Sequence, residues 1–169
     1  MSVYFYGCTS MDGYLADHNG RLDWLYQTGS AEETNYEAFY KQMDVMIMGK
    51  KTYAEIEHLE NIESLYASTE NYVFTHEKEL SLKSFKPVKG DVVRFVRDFA
   101  PDKNIWIVGG NSVLAPLLDE NMVDKLFIQV APVLLGEGIP LFTQKQDEKR
   151  YRLVEVNQFG PFAEMVFEK

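Results

Sequence analysis

The chain has one cysteine, Cys8, among its 169 residues. An internal disulfide framework is therefore excluded, and a reducing compartment fits. Histidine is scarce too: His18, His58 and His76 share no metal-ligand spacing with one another or with Cys8, so no metal site is expected. GxGxxG, P-loop and GxSxG motifs are all missing, which removes the usual sequence signatures of dinucleotide, nucleotide and serine-hydrolase sites. No apolar run approaches the ~20 residues needed to span a bilayer. The opening MSVYFYGCTS has no basic region and does not read as a secretory signal. Basic residues number 17 against 26 acidic ones, for a net charge of −9. That balance argues against a nucleic-acid-binding surface. It leaves open an anionic small ligand, which responds to local charge. Repeats, low-complexity segments and linkers are absent, so residues 1–169 are expected to form one cytoplasmic domain with no membrane segment.

What is present is strongly patterned. Residues 2–10 are aromatic and β-prone, and read as a first strand. Residues 11–25 form a loop with Asp12-Gly13 and Asn19-Gly20 as turn signals, and residues 14–16 can pair briefly within it. A helix is expected from Ser30, where Glu33 completes a capping box and Tyr36, Phe39, Tyr40 and Met43 follow at helical spacing. Residues 44–48 (DVMIM) read as a buried strand. Gly49-Lys50-Lys51-Thr52 then turns into another helix, with Thr52 and Glu55 as a second capping-box pattern. Residues 71–75 (NYVFT) make a third strand, and residues 91–99 a short amphipathic helix. Residues 105–109 are an apolar strand ending in Gly109-Gly110, followed by helical spacing at Val113, Leu114, Leu117 and Leu118. Pro116 requires that helix to start late or kink. Residues 124–132 form a long strand, residues 133–150 are mostly loop, and residues 151–157 and 162–168 alternate as a closing hairpin about Gly160-Pro161. The expected class is α/β, a mixed sheet with helices on both faces and a C-terminal β-hairpin.

Three of these strands end in turns that carry chemistry. Gly49, Lys50, Lys51 and Thr52 bring ammonium groups, a hydroxyl and helix N–H groups to one place, which suits a phosphate; a plain helix cap with solvated lysines has the same pattern. Thr75-His76 offers a hydroxyl and an imidazole, or is an exposed loop. Gly109-Gly110 lets a ligand approach the backbone, or is an ordinary packing turn. If the strands are parallel neighbours, the three turns line one sheet edge and span the length of a dinucleotide. Glu33 and Glu37, one helical turn apart, are candidate proton donor and substrate anchor, although the capping box already accounts for Glu33. Trp24 is a pocket wall or core. Asp12 reads as a turn residue, and Asp124 as the cap or start of its strand.

The ordered segments SMDGYLAD (residues 10–17), DVMIMGKKTYAEI (44–56), NYVFT (71–75), IWIVGG (105–110) and VDKLFIQVAPVLLGEGIPLF (123–142) cover most of the chain. Together they resemble the dihydrofolate reductase superfamily, and within it bacterial proteins related to the reductase domain of riboflavin biosynthesis. The resemblance implies a mixed sheet of about eight strands and an NADPH-dependent reductase acting on a small heterocyclic, pterin- or pyrimidine-like substrate. A non-catalytic nucleotide-binding protein on the same fold is the alternative. By the same resemblance Gly49, Lys50 and Thr52 match the cofactor-phosphate turn, Thr75 and His76 the turn near the adenosine phosphate, and Gly109 and Gly110 the glycine pair beside the cofactor. Cys8 and Leu15 match positions flanking the nicotinamide, and Glu33 an active-site carboxylate. Lys50 stands where the family usually has arginine, which keeps charge but loses the bidentate fork. The segment resembling the riboflavin-type branch implies a homodimer.

Overall fold

The computed structural model of the chain describes residues 1–143 and 148–169. Period-two alternation builds β1 (Ser2–Ser10), with Val3 and Phe5 on one face and Tyr4 and Tyr6 on the other. There follow β2 (Tyr14–Ala16), α1 (Asp23–Tyr26), a 3-10 turn (Ala31–Glu33), α2 (Tyr36–Tyr40), β3 (Val45–Gly49), α3 (Lys50–Ile56) and α4 (Ile62–Leu65). Then come β4 (Glu70–Phe74), β5 (Phe85–Val88), α5 (Val92–Arg97), β6 (Asn104–Gly109), α6 (Asn111–Asp119), β7 (Lys125–Ala131), β8 (Ile139–Pro140), β9 (Arg152–Phe159) and β10 (Phe162–Glu168).

Eight strands form one sheet in the order β5-β4-β3-β6-β1-β7-β10-β9, and β2 pairs with β8 apart from it. From β5 to β7 every neighbouring pair is parallel; β10 and β9 run antiparallel as the closing hairpin. Parallel strands are covered on both faces and so carry near-continuous apolar runs. Every residue of β3 is buried. On one face α5 and α6 pack over Val3, Phe5, Val45, Ile47, Ile105 and Ile107; on the other, α2 and α3 pack over Tyr6, Met46, Met48, Val73 and Trp106. This is the α/β architecture expected from the sequence and resemblance. No described helix is long and apolar enough to cross a membrane.

Local differences from the expected elements have physical reasons. The helix expected from Ser30 breaks at Thr34, which is extended, so the 3-10 turn and α2 are separate. The break turns the Asn35 amide toward buried Glu164, to which it donates at 2.9 Å. Glu33 and Glu37 therefore do not share one face of one helix. The capping box expected at Thr52 and Glu55 does not form, because α3 starts at Lys50 with Gly49 as its cap. Pro116 neither delays nor ends α6, which starts at Asn111. Val113 and Leu114 both donate to the Gly110 carbonyl, and burial of four apolar side chains outweighs one missing hydrogen bond.

The sequence reading has no counterpart for α4 or β5. Pro87 argues against a strand, but β5 lies at the sheet edge, where a missing donor is tolerated. The expected loops at residues 11–25 and 133–150 contain α1 and β8, and residues 144–147 of the second lie outside the described residues. Asp12 does more than turn the chain. Its carboxylate accepts from Ser10 Oγ at 2.6 Å and from the N–H groups of Leu135 (3.2 Å) and Gly136 (2.7 Å). These bonds, Ser10's foremost, hold its carboxyl below the usual range. Asp124 caps β1 by accepting from Val3 N at 2.8 Å.

Candidate functional site

Parallel pairing puts the three chemistry-bearing turns level. Met48 stands opposite Gly109, and Gly49 opposite Phe74, so β6, β3 and β4 end together as neighbours. Gly109 has φ of 132°, a conformation that side-chain-bearing residues rarely adopt. Thr52 Oγ1 accepts from Gly110 N at 3.0 Å and fastens the first turn of α3 to the Gly-Gly turn. A Cβ on Gly49 would stand 3.4 Å from Ser112 Oγ, so this crossing is already close-packed. Among the described residues, and apart from its chain neighbours, Thr52 Oγ1 at 4.0 Å is the one atom within 4 Å of such a Cβ at Gly109. In the first turn of α6 the N–H groups of Asn111 and Ser112 precede the first bond to the Gly110 carbonyl, which Val113 makes. Side-chain-free backbone, hydroxyls and helix N–H groups in one open cradle fit a pyrophosphate.

Lys50 is occupied by protein. Its Nζ lies 3.0 Å from Glu77 Oε2, 3.8 Å from Glu57 Oε1 and 4.8 Å from the centre of the Tyr53 ring. The hydrogen bond to Glu77 is the main reason its ammonium is held above the usual lysine range. The pair links α3 to the chain after β4, so the turns after β3 and β4 are joined. Lys51 is exposed and has no ion-pair partner among the described residues. Thr75 Oγ1 accepts from Glu77 N at 3.2 Å, and His76 is exposed.

The remaining sequence-derived residues fall beside this edge or away from it. Cys8 is half-buried on β1, opposite Gln129 of β7, and burial pushes its thiol up to about 12. A thiol shifted this way is disfavoured as a thiolate. Leu15 packs from β2 against the core on the α6 side. Trp24 in α1 has a buried Nε1 with no hydrogen-bond partner among the described residues. Glu33 accepts from Ser30 N at 2.8 Å, as the capping box requires, and its carboxylate rests against Gly160 of the closing hairpin. Glu37 is exposed and paired with Lys41 at 2.6 Å.

A buried polar ring is absent from the sequence reading. Glu164 is 0 % exposed. It accepts from Asn35 Nδ2 (2.9 Å), Gln129 Nε2 (3.3 Å) and Asn157 Nδ2 (3.4 Å). Gln129 Nε2 also donates to the Tyr6 hydroxyl at 2.7 Å, and that hydroxyl donates to Asn35 Oδ1 at 2.9 Å. Burial pushes the Tyr6 phenol up to about 12, so it stays a donor at neutral pH. Cys8, Gln129, Glu164 and Asn157 stand in one register row across β1, β7, β10 and β9. The signal was available: period two places Glu164 on the side of buried Phe162 and Val166.

Known proteins place this arrangement in a family. The model of the RibD C-terminal domain matches residues 63–163. The chain belongs to the RibD C-terminal domain family. YwjB of Bacillus subtilis, an uncharacterised protein, is 31% identical over 95% of this chain and 93% of its own length. Among solved structures, a protein provisionally assigned to riboflavin biosynthesis in a Shewanella species superposes with a TM-score of 0.85, at 24% identity, over 99% of this chain and 98% of that one. The dihydrofolate reductase of Enterococcus faecalis, solved with NADP(H), superposes with a TM-score of 0.64 at 10% identity over 99% and 95% of the two chains. These likenesses show the dihydrofolate-reductase-like fold.

Thr52 is the joint between two turns, so its removal has a readable cost. Thr52→Val keeps the shape and strands the Gly110 N–H. It is expected to lose about 0.5–1.5 kcal/mol in urea unfolding, and Thr52→Ser, which keeps the hydroxyl, less than that. Equal stability of Val and wild type would show that the Oγ1 bond contributes nothing.

Proposed function

We propose that this chain is a reductase that moves a hydride from a reduced nicotinamide dinucleotide, NADPH, to a small heterocyclic substrate of pterin or pyrimidine type. The observation that carries this reading is the level ending of β4, β3 and β6 beside an open Gly-Gly cradle. Membership of a reductase family supports it. When bound, the dinucleotide supplies the hydride. The chain's own residues bind and orient it. Gly109, Gly110 and the first turn of α6 receive the pyrophosphate, with Gly49 and Thr52 shaping the turn beneath. Lys50, Lys51, Thr75 and His76 border the end of the site at β4. Cys8 and Leu15 flank the reacting ring from β1 and β2, offering a neutral thiol and an apolar surface that excludes water.

Trp24 walls the substrate pocket with its indole face, its N–H being buried. Glu33, exposed above the hairpin end of the sheet, passes a proton to the substrate directly or through water. Glu37, exposed and paired with the likewise exposed Lys41, is the candidate substrate anchor of this reading. The homodimer has a face suited to it. Leu153 (51 % exposed), Val156 (65 %) and Phe142 (42 %) lie exposed, with Phe142 lining an apolar cavity of about 440 Å³ beside Met165 and Phe167. A patch of this kind on a monomer marks an interaction surface, and a second copy is the partner proposed.

Thermal unfolding with NADPH tests the cofactor. At 100 times the dissociation constant a ligand stabilises by about 2.7 kcal/mol, a shift of roughly 5–10 °C for this size of domain. No shift at millimolar NADPH would overturn the reading. A shift without NADPH oxidation across a broad panel of pterins and pyrimidines would leave a nucleotide-binding protein. Glu33→Gln retains a side chain that caps, so it isolates proton transfer. Turnover is expected to fall at least about tenfold with the unfolding temperature kept, and unchanged turnover would remove Glu33 from the mechanism. Light scattering at micromolar concentration is expected to give twice the 19.5 kDa chain mass; the mass of a single chain would refute the dimer.

A further inference from the structure

We infer that Glu164 is a positioning residue: from the buried face of β10 it holds in place the segment that carries Glu33. The inference rests on the proton-transfer role proposed above for Glu33, and it names what fixes that carboxylate. Period two puts Phe162 and Glu164 on one face of β10. Residues 29–35 are fastened to that face at both ends. At the first end a Cβ on Gly29 would stand 2.8 Å from Phe162 Cε2, so a side chain there would force the chain off the strand. At the other end Asn35 Nδ2 donates to Glu164 Oε1 at 2.9 Å. Between the two, the Glu33 carboxylate is lodged against a pair of glycines. A Cβ would fall 2.7 Å from Glu33 Oε2 at Gly29 and 2.9 Å from its Oε1 at Gly160.

The fastening at Asn35 has a definite polarity. Asn35 gives its Nδ2 to Glu164, and its Oδ1 accepts from the Tyr6 hydroxyl at 2.9 Å. Gln129 Nε2 gives one hydrogen to the Tyr6 oxygen at 2.7 Å and the other to Glu164 Oε2 at 3.3 Å. Four side chains thus close a ring of hydrogen bonds. The Tyr6 hydroxyl also lies 3.3 Å from Thr34 Oγ1, which donates to the Ala31 carbonyl at 2.6 Å. The ring therefore grips the 3-10 turn as well as the amide that follows it. Glu164 and Gln129 are buried, so water does not compete for these bonds. Bonds to a carboxylate are also stronger than bonds to a neutral acceptor. Local capping at Ser30 orients the Glu33 side chain on its own turn; the ring decides where that turn stands on the sheet.

Exchanging the polarity of the Asn35–Glu164 contact tests this. Asn35→Asp removes the donor and sets a second carboxylate against Glu164, where like charges repel. Adding Glu164→Gln reverses the bond: the new amide donates to the new carboxylate, and its oxygen still accepts from Gln129. Two readouts are taken, amide hydrogen exchange over residues 30–36 and NADPH oxidation with the panel of pterins and pyrimidines. In Asn35→Asp, exchange is expected to be at least about tenfold faster and kcat about ten- to a hundredfold lower. The KM for NADPH is expected to hold within about twofold, because β1 and β7 stand between β10 and the strand that ends in Gly109. The double variant is expected to recover both readouts to within about threefold of wild type. If Asn35→Asp does not fold, the double variant decides, because it must fold and turn over. A double variant no better than Asn35→Asp overturns the inference. So does faster exchange with kcat unchanged, or a fall in kcat matched by a rise in the KM for NADPH. If the wild type oxidises no NADPH with any of the panel, the reaction reading itself fails and takes the inference with it, an outcome distinct from wild-type turnover that the ring does not affect.

Discussion

The structure depends on parallel pairing of neighbouring strands. A parallel ladder brings every strand's carboxyl end to one edge, and each return must cross a face of the sheet. Here α3 and α2 lie on one face and α5 and α6 on the other. The turns after β3, β4 and β6 have nowhere else to go. Their convergence follows from the register that sets Met48 against Gly109 and Gly49 against Phe74. The hydrogen bond from Gly110 N to Thr52 Oγ1 then makes two of those turns one rigid piece.

Charge is placed unevenly about this frame. At the edge where β3 and β4 end, the ammonium of Lys50 is outnumbered by the carboxylates of Glu57 and Glu77. The deepest carboxylate, Glu164, is instead held by the amide side chains of Asn35, Gln129 and Asn157. A buried acceptor of this kind is costly unless its donors are supplied. The donors come from β7, β9 and the segment before α2, so the ring ties the hairpin half of the sheet to the helix-covered half. Meeting that requirement also breaks the helix at Thr34 and leaves Glu33 on a separate turn.

Most strands and their order of chemistry were legible because a buried parallel strand must be apolar throughout and its turn must carry glycine or a cap. VMIMG and NIWIVG announce both. Less was legible where one residue serves two masters. Thr52 looks like a cap, and the tertiary partner Gly110, far away in sequence, claims its hydroxyl. Pro87 discourages a strand, yet β5 needs only one bonded edge. Lys50 reads as a free phosphate ligand until Glu57 and Glu77 are folded against it.

The sequence by itself determined the α/β class, the glycine turns, the capping box at Ser30 and Glu33, and the ordered segments that resemble dihydrofolate-reductase-like reductases. These are properties of residues near one another in the chain, where periodicity and backbone sterics act directly. Tertiary structure alone decided which turns meet, which carboxylates neutralise Lys50 and how Glu164 is satisfied. Those interactions join residues distant in sequence, and their strength comes from exclusion of water and from register, neither of which exists until the sheet is assembled.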